Sequence, residues 1–385
     1  MVSVSARCWS WRFDVPKRAA RLHARAVADR DAGRLSLALP AAVKARILVE
    51  RRWGVSSPDA AVVWHTIGTI REDLSDYPGA DTAYERAAVI LDGHRSDETL
   101  TPVRIAVASS TARLRRVLGR LDDAEALYAQ TIGLAQRYYG TETVEVAELL
   151  NDLAVVYKYA ARFDEAEVLY RRALPIIEAT WGHGHADVAT IWHNLGGIEH
   201  ARGRFETGEI YARRAVQIRQ AALGPDHVAV AKDVAALAAL VQEQHRLEEA
   251  EQLYQRAIAI LEDTFEPVHY ELAVNYNNLA AVYASRGNPQ QAEQLYRRAL
   301  DIKIHLLGPG HPDVAVSLHN LATLAVGQGD NDRAHKLFER AVGILETSLG
   351  AAHPRTITSR TQLAALPPGQ PAVDDVATQR DSTTR

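Results

Sequence analysis

The sequence predicts an all-α solenoid of about eight stacked antiparallel helix hairpins, and three observations predict it. Ala80, Ala124, Ala166, Gly208, Ala250, Ala292 and Ala334 open copies of one short pattern, spaced 44 residues once and 42 thereafter. Tyr or Phe usually stands four residues on and Ala seven on, so the apolar positions fall at helical spacing. A second apolar pattern precedes each copy at the same interval: DLAVVY from Asp152, NLGGIE from Asn194, ALAALV from Ala236, NLAAVY from Asn278 and NLATLA from Asn320. Finally, Gly140, Gly182, Gly224, Gly308 and Gly350 punctuate the chain in the same register. A fixed period of this length is the mark of a repeat architecture.

Within each unit the two helices are joined by a short polar turn, GRLDDA, ARFDEA, GRFETG, HRLEEA or GNPQQA, whose Gly, Asn, Asp and Pro break one helix and start the next. Tyr128, Tyr170, Tyr254, Tyr296 and Phe338 take the buried side of the second helix. The punctuating glycines predict a left-handed C′ residue closing that helix. Asp187, Asp226 and Asp313 lie near the next helix start, and Pro312 and Pro354 stand where a first turn tolerates proline. In one unit Glu266 replaces the glycine and Pro267 keeps the break.

The register extends backwards. SPDAAVVWHTIGTI from Ser57 lies 128 residues before HADVATIWHNLGGI, with Trp64 answering Trp192 and Gly68 answering Gly196. Gly54 answers Gly182, and AVKARILVERRWG reads as the second helix of an earlier, worn unit. The organisation expected is therefore an unassigned segment over 1–17, two divergent units over 18–97, six regular units over 98–350, a capping helix over 351–366 and a disordered, proline-rich and polar tail over 367–385.

Composition narrows the class. With 385 residues, 47% of them hydrophobic and 24% charged, the chain has the make-up of a soluble globular protein. Nothing approaches the run of about 18 apolar residues that a membrane span needs. The N-terminal MVSVSARCWSWRFDV lacks the apolar core of a secretory signal, so a cytoplasmic location is expected. Cys8 is the one cysteine and forms no internal disulfide, which suits a reducing compartment. The formal charge of −4 conceals a basic start, 12 Lys plus Arg against 4 Asp plus Glu in residues 1–54. A solvated face on a terminal repeat accounts for Arg25, Arg46 and Arg51, and no nucleic-acid partner is expected.

These units resemble the tetratricopeptide repeat (TPR) family, specifically its 42-residue, kinesin-light-chain-like variety. Trp192, Leu195, Gly196 and Ala215 match one repeat, and Leu279, Ala280, Tyr283, Ala292, Tyr296 and Ala299 another. The longer variety adds a G-x-x-H-P-D-x-A linker, present as GPGHPDVA from Gly308 and eroded as GHGHADVA from Gly182 and GPDHVAVA from Gly224. The abundance of Ala and Arg suits a bacterium with a GC-rich genome. The resemblance implies a right-handed superhelix with the first helix of each pair on its concave face, where a peptide or a helix of a partner protein binds.

In that family the Asn before Leu in the first helix often bonds the backbone of a bound peptide, and it stands here as Asn194, Asn278 and Asn320. Thr66, Ser110, Asp152 and Ala236 depart from it, so no continuous Asn ladder is expected. An Asn that bonds only to a neighbouring helix is the alternative. Helical positions counted from Gly196 add Arg113, Arg116, Asn151, Lys158, His193, His200, Lys232, Asn277 and His319 to the groove. This basic stretch favours a partner bearing carboxylates, as kinesin light chains do.

His185, His227, His269, His311 and His353 recur at 42-residue intervals, so they are spread along the array and do not converge on a metal. Capping and linker packing explain them. No catalytic motif is found: no G-x-S-x-G, H-E-x-x-H, C-x-x-C or G-x-x-x-x-G-K-[ST]. The reading is a non-catalytic scaffold without cofactor or metal. The rival is a regulatory sensor whose superhelix responds to a peptide or other ligand, related to the repeat portion of bacterial signalling proteins.

Overall fold

A computed structural model describes residues 17–32 and 34–367, so Cys8, most of the unassigned segment and nearly all of the tail lie outside the described residues. Eight hairpins follow in order. They are α1 (Lys17–Asp31) with α2 (Leu35–Trp53), α3 (Pro58–Asp73) with α4 (Tyr77–Asp92), α5 (Thr101–Val117) with α6 (Leu121–Tyr139), and α7 (Val144–Tyr159) with α8 (Phe163–Trp181). Then come α9 (Ala186–Ala201) with α10 (Phe205–Leu223), α11 (Val228–Glu243) with α12 (Leu247–Thr264), α13 (Tyr270–Ser285) with α14 (Pro289–Leu307), and α15 (Pro312–Gly327) with α16 (Asn331–Leu349). A final helix, α17 (Pro354–Ala365), packs on α16 in the position of a ninth first helix. No strand occurs among the described residues.

Two compact units divide the chain, Met1–Ala222 and Leu223–Arg385. In each, the second helix of one hairpin packs on the first helix of the next, as α6 does on α7 and α12 on α13. First helices also touch first helices directly, α3–α5, α5–α7 and α7–α9 in one unit and α11–α13 and α13–α15 in the other. They form the closely spaced inner layer of each stack.

The core repeats with the sequence. Tyr84, Tyr128, Tyr170, Tyr254 and Phe338 are fully buried, each on a second helix. They need a small residue opposite them on the first helix, which Gly68, Ala112, Ala154, Ala238 and Ala322 supply in register. A Cβ on Gly68 would stand 2.4 Å from the Tyr84 ring, and one on Gly196 would stand 3.2 Å from the Gly208 carbonyl oxygen. Close approach of the two helices fixes glycine at both positions.

Two kinds of positive-φ residue end the helices. First helices close on Ser75, Gly119, Ala161, Gly203, His245, Gly287 and Gly329, with φ between 57° and 79°. The following amide bonds back five residues, Arg162 N–H to the Tyr157 carbonyl at 2.8 Å for example, which is the Schellman closure. Second helices end on Gly54, Gly140, Gly182 and Gly308 with ψ between 155° and 167°. This corrects the left-handed C′ expectation: φ is positive but the backbone is extended, a region only glycine occupies at ease. At Glu266 the requirement disappears because α12 ends early, on Thr264, and Phe265 leaves in an ordinary extended conformation.

The linker histidines cap. Nδ1 of His185, His227, His269, His311 and His353 accepts the amide two residues on, at 3.1–3.3 Å, at the start of α9, α11, α13, α15 and α17. Of the aspartates expected near those starts, Asp187 and Asp313 sit inside the first turn, where they favour the positive end of the helix, while Asp226 precedes the His227 cap and lies outside α11.

Candidate functional site

Along the inner layer, a polar side chain on one first helix bonds to the next first helix, one residue further on in the repeat. His23 Nε2 meets Thr66 Oγ1 at 2.9 Å, and His65 Nε2 meets Ser110 Oγ at 2.9 Å. Asn194 Nδ2 donates to Asn151 Oδ1 and Asn320 Nδ2 to Asn277 Oδ1, both at 2.9 Å. Thr66, Ser110, Asn194 and Asn320 are equivalent positions. The row is thus a ladder of mixed chemistry, with Asn in two rungs and a hydroxyl facing histidine in two others. Burial lowers the His23 pKa to about 4 and the His65 pKa to about 3, the latter helped by the charges of Arg113 and Arg30. Both rings are neutral in their rungs.

Charges gather on α3, α5, α7 and α9. Arg113 forks onto Glu72, Nε to Oε1 and a terminal nitrogen to Oε2, both at 2.9 Å, and the Tyr84 hydroxyl donates to the same carboxylate at 2.8 Å. Asp152 is half-buried beside Arg113 and Arg116; desolvation raises its pKa against the pull of both cations. Arg116 stacks over the Tyr159 ring at 5.1 Å and has no ion pair among the described residues. One repeat on, Lys158 reaches across to α9, where a Cβ on Gly197 would stand 2.4 Å from its Nζ. No acceptor meets that ammonium among the described residues, and burial lowers its pKa. His200, one repeat further, sets its ring on the edge of Phe205 at 5.7 Å, and its nitrogens have no partner among the described residues.

The second unit is different in kind. Lys232 is exposed and pairs with Glu271 at 2.9 Å. Lys303 is almost fully buried on α14 and donates to Ser317 at 3.0 Å, with its pKa lowered by burial. Asn278 has Ala235 at the place of the preceding rung, and its half-buried amide meets no partner among the described residues. His319 Nδ1 lies 2.9 Å from Ser359 Oγ on α17. An open cavity of about 530 Å³ follows, lined by Ala284, Tyr296, His319, Asn320, Thr323 and Gln362 among others, with no charged side chain in its wall.

The structure therefore sorts the twelve candidates. All lie on first helices of the inner layer. Asn151 with Asn194 and Asn277 with Asn320 form rungs, Arg113 and Lys232 belong to carboxylates, His319 to α17, and His193 has its own interaction. Arg116, Lys158, His200 and Asn278 keep polar atoms open. Sequence reasoning missed Glu72, Tyr84 and the rung partners His23 and His65. The 43-residue offset between rung partners, one more than the period, is the signal that finds Asn151 with Asn194 and Asn277 with Asn320. No group of His, Cys, Asp and Glu suited to a metal occurs among the described residues, and no described helix is long and apolar enough to cross a membrane.

The family model described as "Tetratricopeptide repeat" matches residues 105–179, 187–263, 230–305 and 270–347. Among solved structures, BtubC (BKLC) from P. vanneervenii is 26% identical, covering 61% of this chain and 91% of its own, with a TM-score of 0.48. A putative kinesin light chain of Podosopora anserina with nearly identical TPR-like repeats is 23% identical, covering 52% and 96%, with a TM-score of 0.45. The apo form of RapI is 14% identical, covering 74% and 97%, with a TM-score of 0.57, a likeness of fold alone. No curated protein matches the chain.

Proposed function

The chain belongs to the tetratricopeptide repeat family, and from that premise we propose that it is a non-catalytic scaffold that captures a peptide or helix of a partner protein on the inner layer of first helices. One observation carries this reading. In an array whose other inner-layer polar groups are largely engaged in rungs and ion pairs, Arg116, Lys158, His200 and Asn278 hold donors open on that one face. Buried or half-buried polar groups without partners cost free energy unless something binds them. Two of the four are cations, which supports a partner that brings carboxylates.

The test is affinity capture by the full chain, repeated with Asn278→Ala and with Lys158→Ala. Neither side chain anchors a rung, so helicity and melting should hold while capture of the same partner falls about 10-fold for each. Undiminished capture by both variants would move the site off the inner layer. Solution scattering of the complex separates scaffold from sensor: an unchanged profile of the chain supports capture alone, and a ligand-dependent change assigns the regulatory alternative.

A further inference from the structure

Arg116, Lys158 and His200 occupy the same position in three successive repeats, 42 residues apart, on α5, α7 and α9. Their equivalent in the hairpin before is Glu72, which Arg113 already neutralises. The three that follow in the second unit are Gln242, Ala284 and Val326, none of them charged. The row of open basic side chains, two of them cations, is thus confined to three repeats and has a beginning and an end. Two nearby carboxylates are engaged: Glu199, next to His200, is buried and tied to Arg202 at 2.6 Å, and Asp152, beside Arg116, accepts from Asn151 Nδ2 at 3.2 Å.

Spacing decides what such a row can read. The helices α5, α7 and α9 touch in turn, and packed helices lie about 8–10 Å apart. A polyproline II chain repeats every three residues with a rise of about 3.1 Å each, so every third side chain returns to the same side after about 9 Å. A β-strand returns after about 7 Å, two residues. A helix returns after about 10 Å, seven residues, but its flank offers no backbone N–H. Here that difference counts, because Asn194 gives one amide N–H to Asn151 and keeps its carbonyl oxygen without a partner among the described residues, half-buried on α9. An acceptor in that place fits a chain whose backbone donors are free. Gly197, with no side chain under the Lys158 ammonium, leaves a bare strip of helix for that chain to lie on.

We propose that Arg116, Lys158 and His200 read acidic residues at every third position of a ligand segment held in polyproline II conformation, with Asn194 accepting one of its backbone N–H groups. This rests on the inner-layer reading above and names its ligand. The row gives both the sign of the charge and its period, so it discriminates among acidic peptides of identical composition.

The experiment is selection of binders from an unbiased display library of random 12-residue peptides on the full chain, followed by anisotropy titrations of synthetic peptides. The expected result is enrichment of Asp or Glu at a spacing of three. A peptide with acids at i, i+3 and i+6 should bind about 10-fold tighter than isomers with acids at i, i+2 and i+4 or at i, i+7, and lose about 10-fold with Lys158→Ala and with Arg116→Ala. Raising the salt from 50 to 500 mM should erase most of the difference. Selected peptides without that period, yet weakened by Asn278→Ala, would overturn the row and leave the inner-layer reading intact. Acids at a spacing of seven in a helical binder would overturn the conformation assigned to the ligand. Selection that yields no binder at all would overturn both.

Discussion

Two tyrosines at equivalent positions make opposite demands on their hydroxyl groups. Tyr84 and Tyr170 are both fully buried on second helices. The Tyr84 hydroxyl donates to Glu72 at 2.8 Å, whereas the Tyr170 hydroxyl meets no partner among the described residues. Replacing either with Ala removes a plug between hairpins and should cost about 3–5 kcal/mol. Replacing each with Phe isolates the oxygen. Tyr84→Phe loses a hydrogen bond to a carboxylate, and since Glu72 keeps its fork with Arg113, the loss belongs near the lower end of the usual range, about 1.5 kcal/mol. Tyr170→Phe removes a hydroxyl that is desolvated without return, so it should be neutral or stabilising by up to about 1 kcal/mol. The quantity to measure is the difference between the two, about 2 kcal/mol. Repeat arrays open piecemeal, so a single melting curve is a poor gauge. Native-state hydrogen exchange of the amides in α4 and α8 reads each hairpin separately. Equal losses for the two Phe variants would refute the reasoning, because the Tyr170 hydroxyl would then have a partner and the plug would be polar at both sites.

Three further outcomes are expected. Ala161 and His245 hold φ near 60° where most of the other hairpins place glycine, so Ala161→Gly and His245→Gly should each raise stability by about 1 kcal/mol in urea titrations, against the usual cost of glycine. Glycines of first helices should respond with opposite signs: Gly68→Ala drives a methyl into the buried Tyr84 ring and should cost about 2 kcal/mol, while Gly197→Ala meets only the flexible end of Lys158 and should gain up to about 1 kcal/mol by helix propensity. Acid should loosen the first three hairpins selectively. His23 and His65 have pKa values lowered to about 4 and about 3 by burial, so between pH 6.5 and 4 the unfolded chain binds protons that the folded one does not. Stability is complete above pH 6.5 and falls with pH through that window by on the order of 3 kcal/mol for each histidine. Hydrogen exchange at pH 7, 5.5 and 4 checks it, with loss of protection in α1, α3 and α5 ahead of α11; uniform loss would place the effect elsewhere.

The hairpins were legible because their cause is local and repeated. Ala, an aromatic and Ala at positions 166, 170 and 173, or 292, 296 and 299, state a buried helix face without reference to anything distant. The capping histidines were legible for the same reason, since each bonds an amide two residues on. What the period could not convey is the direction of hydrogen bonds between repeats. Asn194 and Asn320 look alike with Asn278 in the alignment, yet the first two are rungs and the third is open, and the difference is made by Asn151 and Asn277 against Ala235, one helix earlier. Likewise Arg113 and Arg116 are neighbours on one helix face, and only Glu72, 41 residues before Arg113, decides which is spent. Glu72 lies in a unit too worn for its pairing to be read from the repeat.

The same contrast explains how an array so uniform in its core can be specific on its face. The positions that hold the stack together, the second-helix aromatic and the small residue facing it, vary little from Tyr84 to Phe338 because each is packed on both sides. The row that runs Glu72, Arg116, Lys158, His200, Gln242, Ala284, Val326 varies in every repeat. Lys158, for one, lies across the next first helix, where Gly197 leaves it room, so its chemistry is decoupled from the packing of the hairpins. Stability therefore constrains the row weakly. Two half-buried cations kept without a direct ion pair among the described residues, Arg116 and Lys158, are an expense that the fold has no use for, and a ligand's carboxylates are what would offset it.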